Sequence, residues 1–413
     1  MTILYNLFVR AYYIIIRIAA LWNPKAQRWI NGRKNVFDEL KRSVSTGNVV
    51  WIHSASAGEF EQAKPIIESL KKNYPSLKIV ASFFSPSGYD GARSYRHTDH
   101  NFYLPLDTIS NARRLLECIA PRLVIFIKYE FWYHHLKVIQ QQKIPLLLVS
   151  AVFRESQPFF KWYGGFYLRM LHFFQHIFVQ DGRSLELLHS VGIVDCSISG
   201  DNRFDRVHEI ASSANDIRRI TEFIGEKPVI VAGSTWPDDE FYIRKVIEKH
   251  HDLKFIIAPH EVTKEHLRQI KTMFPSAIFY SELDELNLST VNVLVIDSMG
   301  LLSTLYKYAS IAYVGGGYTK DGIHNILEAA VYGKPVLFGP NYKKYREAIE
   351  LINCEGAFSF STEEELLQLV TTLLQNKEVY NRSSQASAKY VADHIGATGK
   401  LMAYIQEKRL LIN

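Results

Sequence analysis

Two sets of five short apolar runs, separated by longer amphipathic stretches, dominate this chain. In the first half they are VVWIHS (49–54), LKIVASFF (77–84), LVIFIK (123–128), PLLLVSAV (145–152) and HIFVQD (176–181). In the second they are PVIVAGS (228–234), LKFIIAPH (253–260), VNVLVIDS (291–298), SIAYVGGG (310–317) and KPVLFGP (334–340). Helical patterns such as 60–73 and 110–120 lie between them. Near-continuous apolar runs alternating with helices belong to parallel sheets covered on both faces. The expected fold is therefore α/β: two doubly wound Rossmann-like domains facing a cleft. We expect a first segment at 1–34, one domain at 35–210 and a second at 211–413, with polar residues 207–227 as linker.

Composition narrows the class. Hydrophobic residues make up 47% and charged residues 22% of 413, which excludes a disordered chain, a collagen-like fibre and a polytopic membrane protein. The net charge of +6 is too small to imply nucleic acid and suits anionic lipid or an acidic substrate. Cys118, Cys196 and Cys354 have no CxxC or Cys/His spacing, so neither a disulfide framework nor a metal site is expected.

The first segment departs from the soluble pattern. Ile3 to Trp22 is mostly apolar and about one bilayer in length. Arg10 and Arg17 interrupt it two helical turns apart, and each is costly at mid-bilayer. Lys25, Arg28, Arg33 and Lys34 follow. A cleaved signal fits poorly for want of a small-residue cleavage site. A span is opposed by the arginines. The expectation is a membrane-associated helix lying in the interface, its basic flank on anionic lipid; the plain alternative is a first helix packed on the domain.

In doubly wound sheets ligands bind beyond the carboxyl ends of the strands, so those ends carry the candidates. His53 to Phe60 reads HSASAGEF, a small-residue turn into a helix. Glu59 in its first turn is either a glutamate that favours the helix dipole or a general base. Lys128-Tyr129-Glu130-Phe131-Trp132 ends another strand, where Glu130 either orients a sugar or pairs with Lys128. Arg203, within GDNRFD (200–205), is either an anion clamp or part of a capped turn. In the second half, Ser234 lies in a hydroxyl-bearing turn suited to phosphate. Pro259-His260-Glu261, Asp297-Ser298-Met299-Gly300 and Gly315-Gly316-Gly317 mark further strand ends. His324 and Asn325 open a helix, with Glu328 three residues after Asn325. That spacing fits a capping box or a glutamate on a ribose diol.

Together WxHxxSxGE (51–59), SPxGY (85–89), EFW (130–132), GDNRFD, DSMG (297–300) and HNxLE (324–328) resemble the Kdo (3-deoxy-D-manno-oct-2-ulosonic acid) transferases of lipopolysaccharide synthesis. The resemblance runs over nearly the whole chain. It implies an inverting glycosyltransferase of GT-B fold needing no metal or other cofactor. Its first domain would bind the acceptor, a lipid A precursor (lipid IVA), and its second the donor, CMP-Kdo. Glu59 would be the general base, Glu130 a second catalytic carboxylate and Arg203 a transition-state cation. Pro259, His260, Met299, Gly300, Asn325, Ile326, Leu327 and Glu328 match the CMP-binding stretches, with Ser234 and Gly316 beside them. His53, Lys64, Arg93 and Lys128 are candidate acceptor contacts on position. The family often has an acidic residue at Lys128, so no carboxylate role carries over there, and its Pro-Arg-His-Pro-Glu stretch is here Pro259-His260-Glu261, without the arginine. The implied location is the cytoplasmic face of the inner membrane. The competing reading is another GT-B nucleotide-sugar enzyme, a UDP-sugar transferase or epimerase.

Overall fold

The computed structural model describes residues 1–44, 47–285 and 291–411. They form two compact units, Met1–Arg206 with Gly396–Asn413, and Val207–Ile395. Each holds a seven-stranded sheet whose described pairings are parallel.

In the first unit the strands are β1 (Val49–Ser54), β2 (Lys78–Phe83), β3 (His100–Tyr103), β4 (Leu123–Ile127), β5 (Leu146–Ala151), β6 (His176–Val179) and β7 (Cys196–Ile198), in the order β3-β2-β1-β4-β5-β6-β7. Every residue of β1, β4 and β5 is buried, because helices cover both faces and leave no polar side for alternation. The second unit has β8 (Val229–Thr235), β9 (Lys254–Pro259), β10 (Ile278–Phe279), β11 (Val293–Val295), β12 (Ile311–Val314), β13 (Val336–Phe338) and β14 (Ala357–Ser359), in the order β10-β11-β9-β8-β12-β13-β14. Strand order reverses between β1 and β4, and again between β8 and β12. Those reversals are the topological switch points where doubly wound sheets bind ligands.

All ten expected strands are present. The four that the sequence pattern missed are β3, β7, β10 and β14, the edges of the two sheets. Residues 207–227 are not an open linker. They carry the helix Arg218–Ile224, whose Ile220 and Phe223 are buried, and belong to the second unit.

The C-terminus also differs from expectation. Residues 396–413 return to the first unit, where Leu401, Ile405 and Leu411 join the core formed by Val50, Ile52 and Ile125. The contact is keyed by GDNRFD. Both carboxylate oxygens of Asp205 accept the orphan amides of Gly396 and Thr398 at 2.6 Å, capping the helix Ala397–Glu407 from outside. Asn202 bridges Ser150 Oγ and Thr398 Oγ1. Asp205→Ala leaves two amides without an acceptor. Charge-assisted hydrogen bonds of this kind are worth about 1.5–3 kcal/mol, so urea unfolding should report a loss of about 3 kcal/mol. An unchanged midpoint would remove this cap from the account.

The helix α1 (Thr2–Ala19) has one packed side and one bare side. Tyr5 Oη donates to Asp107 Oδ2 at 2.5 Å, and His134 Nε2 lies 2.6 Å from Asn6 Oδ1. Val9 is buried. At 3.6 residues per turn the opposite face presents Ile3, Leu4, Leu7, Phe8, Ile14, Ile15 and Ile18, all exposed. Arg10 and Arg17 fall together at one edge of that face, also exposed. The helix is long and apolar enough to cross a bilayer by length and composition. Of the basic flank, Arg33 faces inward. It lies 3.6 Å over the Trp29 ring and donates to the carbonyls of Leu104, Trp29 and Phe84; burial pushes it down to about 9. It staples α2 (Pro24–Asn31) to the sheet instead of meeting lipid. Lys25 and Lys34 are exposed, and Arg28 pairs with Asp90.

Candidate active site

At the first switch point β1 delivers His53 and leads through Ala55-Ser56 into the helix Ala57–Asn73. Ser56 and Glu59 form a capping box. Glu59 Oε2 accepts the amides of Ala55 at 2.6 Å and Ser56 at 3.1 Å. Both readings of Glu59 therefore meet in one side chain. One oxygen holds the helix start, which fixes the carboxylate, while no hydrogen bond engages Oε1 among the described residues. Burial raises the Glu59 pKa above the ordinary carboxylate value, and the Glu130 charge raises it further; His53, the Ala55 amide and Lys128 pull the other way. A half-buried carboxylate of raised basicity with one oxygen available is suited to take a proton.

Glu130 follows β4 and is held twice on Oε2, by Trp132 Nε1 at 2.6 Å and His53 Nε2 at 3.1 Å. His53 is fully buried. Its other ring nitrogen meets Ser82 Oγ at 2.8 Å and Ser82 O at 3.1 Å, and Ser82 Oγ also accepts Trp51 Nε1. His53 is thus enclosed with both nitrogens engaged. It positions Glu130, in place of the acceptor contact expected from its location. Ser82 and Asp107 escaped the sequence reading. Asp107 accepts the amides of His134 and His135, so it caps the helix Tyr133–Gln141 and anchors the Glu130-Phe131-Trp132 turn. A lone aspartate after a strand gives no signal of that reach.

Lys128 sits in the left-handed region at φ 62, and its charge acts on both Glu59 and Asp201. Arg203 is paired: Nε and Nη2 reach Asp201 Oδ2 at 2.8 and 2.7 Å, and its backbone amide reaches Oδ1. Burial alone would raise the Asp201 pKa, but Arg203 and then Lys128 hold it below the usual carboxylate range. Arg203 therefore stands as an ion pair fixed by a buried partner. Lys64 is taken by Glu61, and Arg93 is exposed at the end of the helix Pro86–Ala92.

At the second switch point, β8 ends in Ser234 at φ 53 and Thr235, leading into the helix Pro237–Lys249. Its first turn carries Asp238, Asp239 and Glu240. Asp239 Oδ2 accepts the amides of Trp236 and Gly316, both at 2.9 Å, and Tyr313 Oη donates to Oδ1. The anion place at this helix start is thus filled by the protein's own carboxylate. The Gly316 amide, expected to meet phosphate, is already engaged by Asp239. Gly316 has φ 90, and a Cβ there would lie 2.5 Å from Gly322 O, so only glycine fits the loop. Burial pushes Asp239 up to about 6. Asp239→Ala strands two amides and a tyrosine hydroxyl, and should cost about 2–4 kcal/mol. Asp239→Asn keeps an acceptor for the amides and should recover most of it, read by thermal unfolding. Equal losses in both would refute the bracing role.

Trp236, His260 and His324 form a ring stack from the ends of β8, β9 and the β12 loop. His260 lies 4.9 Å from Trp236 and 4.2 Å from His324, centroid to centroid. Trp236 Nε1 donates to His324 Nε2 at 3.1 Å, which requires that nitrogen unprotonated; burial and then His260 push His324 down to about 4. Trp236 was missed by the sequence reading, for its role depends on rings from three separate loops. Pro259 ends β9. Met299 is exposed beside Gly300 at φ 91. The expected helix at His324 starts later, as Leu327–Ala330. Asn325 Oδ1 accepts the Leu327 amide and Nδ2 donates to Glu328 Oε1 at 3.1 Å, while Ile326 and Leu327 are buried. Among the described residues no group of three His, Cys, Asp or Glu side chains is placed to hold a metal ion.

The family profile described as 3-deoxy-D-manno-octulosonic-acid transferase (kdotransferase) matches residues 27–206. A 3-deoxy-D-manno-octulosonic acid transferase of Rickettsia felis is 30% identical over 339 residues, spanning 79% of this chain and 72% of the relative. The chain belongs to the Kdo transferase family. The enzyme of Rickettsia bellii is 25% identical over 400 residues, 93% of each chain. That of Aquifex aeolicus is 29% identical over 343 residues, 80% of this chain and 87% of the relative. In fold this glycosyltransferase is similar to UDP-GlcNAc 2-epimerase of Neisseria meningitidis, with TM-score 0.61, 17% identity, and 87% of this chain and 99% of that one covered. MurG of Acinetobacter baumannii gives TM-score 0.54 at 12% identity, covering 87% and 100%. These two likenesses concern the GT-B fold alone.

Proposed function

We propose that this Kdo transferase moves Kdo from CMP-Kdo to a lipid A precursor, with inversion and without a metal ion. The observation that carries the reading is the Glu59 carboxylate, locked through Oε2, open at Oε1 and raised in basicity. Glu59 takes the proton from the acceptor hydroxyl as its oxygen bonds to the anomeric carbon. The bond from that carbon to the phosphate oxygen breaks, and CMP departs with the electron pair. A phosphate leaving group of this kind needs no Lewis acid, only cations and exclusion of water. The Glu130 and Lys128 charges act on Glu59, and Arg203, paired with Asp201, would be the transition-state cation. The ring stack, Met299, Gly300 and Asn325 to Glu328 form the donor side. The loss of the family arginine beside Pro259 leaves the cation for the donor to come from elsewhere in the chain.

The bare apolar face of α1, with Arg10 and Arg17 at its edge, suits a helix lying in the inner leaflet at the cytoplasmic face. The arginines then reach headgroups, and the packed face holds the first unit against the surface where such an acceptor resides.

The test is transfer from CMP-Kdo, generated in situ, to tetraacylated lipid A precursor in the presence of EDTA, read by mass spectrometry. Added Kdo masses are expected, and they also count the units transferred. A product formed only when divalent metal is restored would overturn metal independence. No product, with thermal protection by UDP and none by CMP, would overturn the donor and return the chain to the UDP-sugar enzymes whose fold it shares.

A further inference from the structure

Between α1 and the body of the first unit lies an apolar cavity of about 190 Å³. Phe8, Val9 and Tyr12 line it from the helix, and Phe84, Leu106 and Trp132 from the turns after β2, β3 and β4. Asp107 is also in the wall, but both its oxygens already accept hydrogen bonds, from Tyr5 Oη and from the amides of His134 and His135. A sugar would need polar partners that this lining lacks. Dry apolar cavities of about 150 Å³ take up small hydrocarbons such as benzene, so this one suits a short length of alkyl chain.

Its two ends give the occupant. Phe8 lines the cavity and is 64% exposed, so one end opens on the bare apolar face of α1. At the other end Trp132 forms the wall, stacked on Phe84 at 4.7 Å, while its indole N–H donates to Glu130 Oε2 at 2.6 Å. One side chain thus touches both the hydrocarbon space and Glu130, whose charge acts on Glu59. We propose that the cavity seats a short length of one fatty-acyl chain of the acceptor lipid, drawn out of the bilayer past Phe8. The proposal rests on the lipid-acceptor reading above. Trp132 would be the register between chain and headgroup, setting which hydroxyl reaches Glu59.

The test fills the cavity from either side, with Leu106→Trp and Val9→Phe, and uses Ile15→Ser on the outer face of α1 as control. Far-ultraviolet circular dichroism and CMP binding establish that each variant is folded. Fluorescence of cis-parinaric acid should report saturable one-to-one binding to wild type, at least tenfold weaker in both filled variants and unchanged in Ile15→Ser. Equal binding in wild type and both filled variants overturns the cavity as a chain site. In turnover, Leu106→Trp should raise KM about tenfold for the acylated precursor and leave KM unchanged for the same headgroup stripped of its chains. An equal change for both acceptors overturns the proposal. If Leu106→Trp lowers vesicle affinity while the KM ratio stays at its wild-type value, the occupant is a bulk membrane chain and the assignment to the acceptor fails. Wild type that binds the fatty acid yet transfers Kdo to neither acceptor overturns the lipid-acceptor reading itself.

Discussion

Glu59→Gln is expected to lower kcat for Kdo transfer by about 10²–10⁴-fold, the usual contribution of a general base. Glutamine retains an oxygen that can accept the amides of Ala55 and Ser56, so the helix start should survive and thermal stability should change little. Glu59→Ala loses activity as well as the cap, at about 1 kcal/mol. CMP affinity should be unaffected in both. The pH profile gives a second check. A base works deprotonated, so the rate is flat above its pKa and falls as pH drops through it. Burial, then the Glu130 charge, place the Glu59 pKa above the ordinary carboxylate value, so the acid limb lies higher than an exposed glutamate would put it. Glu130→Gln removes the like charge and should shift that limb to lower pH, whatever it does to the plateau. Full activity of Glu59→Gln, or an acid limb indifferent to Glu130, would disprove the assignment.

Making the outer face of α1 polar should have the second large effect. Leu4, Leu7, Ile14 and Ile15 are all more than half exposed and touch little of the protein. Their joint replacement by serine should leave the fold intact while removing most of the apolar area offered to a bilayer. Burying an aliphatic side chain is worth roughly 1.5–3 kcal/mol at full depth, and partial insertion of four gives an expected loss of 10²–10³-fold in partition to anionic vesicles. Sedimentation with vesicles of phosphatidylglycerol and phosphatidylethanolamine measures it. Arg10→Gln with Arg17→Gln should weaken binding less, and only at low salt, since screening removes the headgroup attraction. Unchanged sedimentation of the four-serine variant would show that α1 is only a packing helix.

The turns at the switch points were legible because the end of a buried strand is written locally. A small-residue turn followed by Glu59, or glycines followed by Asn325 and Glu328, can be read without knowing what packs behind them. Their partners were not. His53 looked like an acceptor contact until Ser82, 29 positions away in sequence, closed over its ring. Gly316 looked like a phosphate donor until Asp239, 77 positions away, accepted its amide. Arg33 looked like part of a lipid-facing flank until three rings and three carbonyls enclosed it.

What the sequence determined by itself was the succession of interior strands and helices, the two Rossmann-like halves and the family. Interior strands of a parallel sheet must be apolar on both faces, and that demand is local and strong. The edge strands are two to four residues long and only partly buried, so HNFY, CSI, IF and AFS carried no readable pattern. Only the tertiary structure decided that residues 396–413 close the first unit, that α1 is packed on one side and bare on the other, and which oxygens and nitrogens remain available for chemistry. Each of these depends on hydrogen bonds and contacts between distant segments, and a polar group's role is settled by the partner that reaches it.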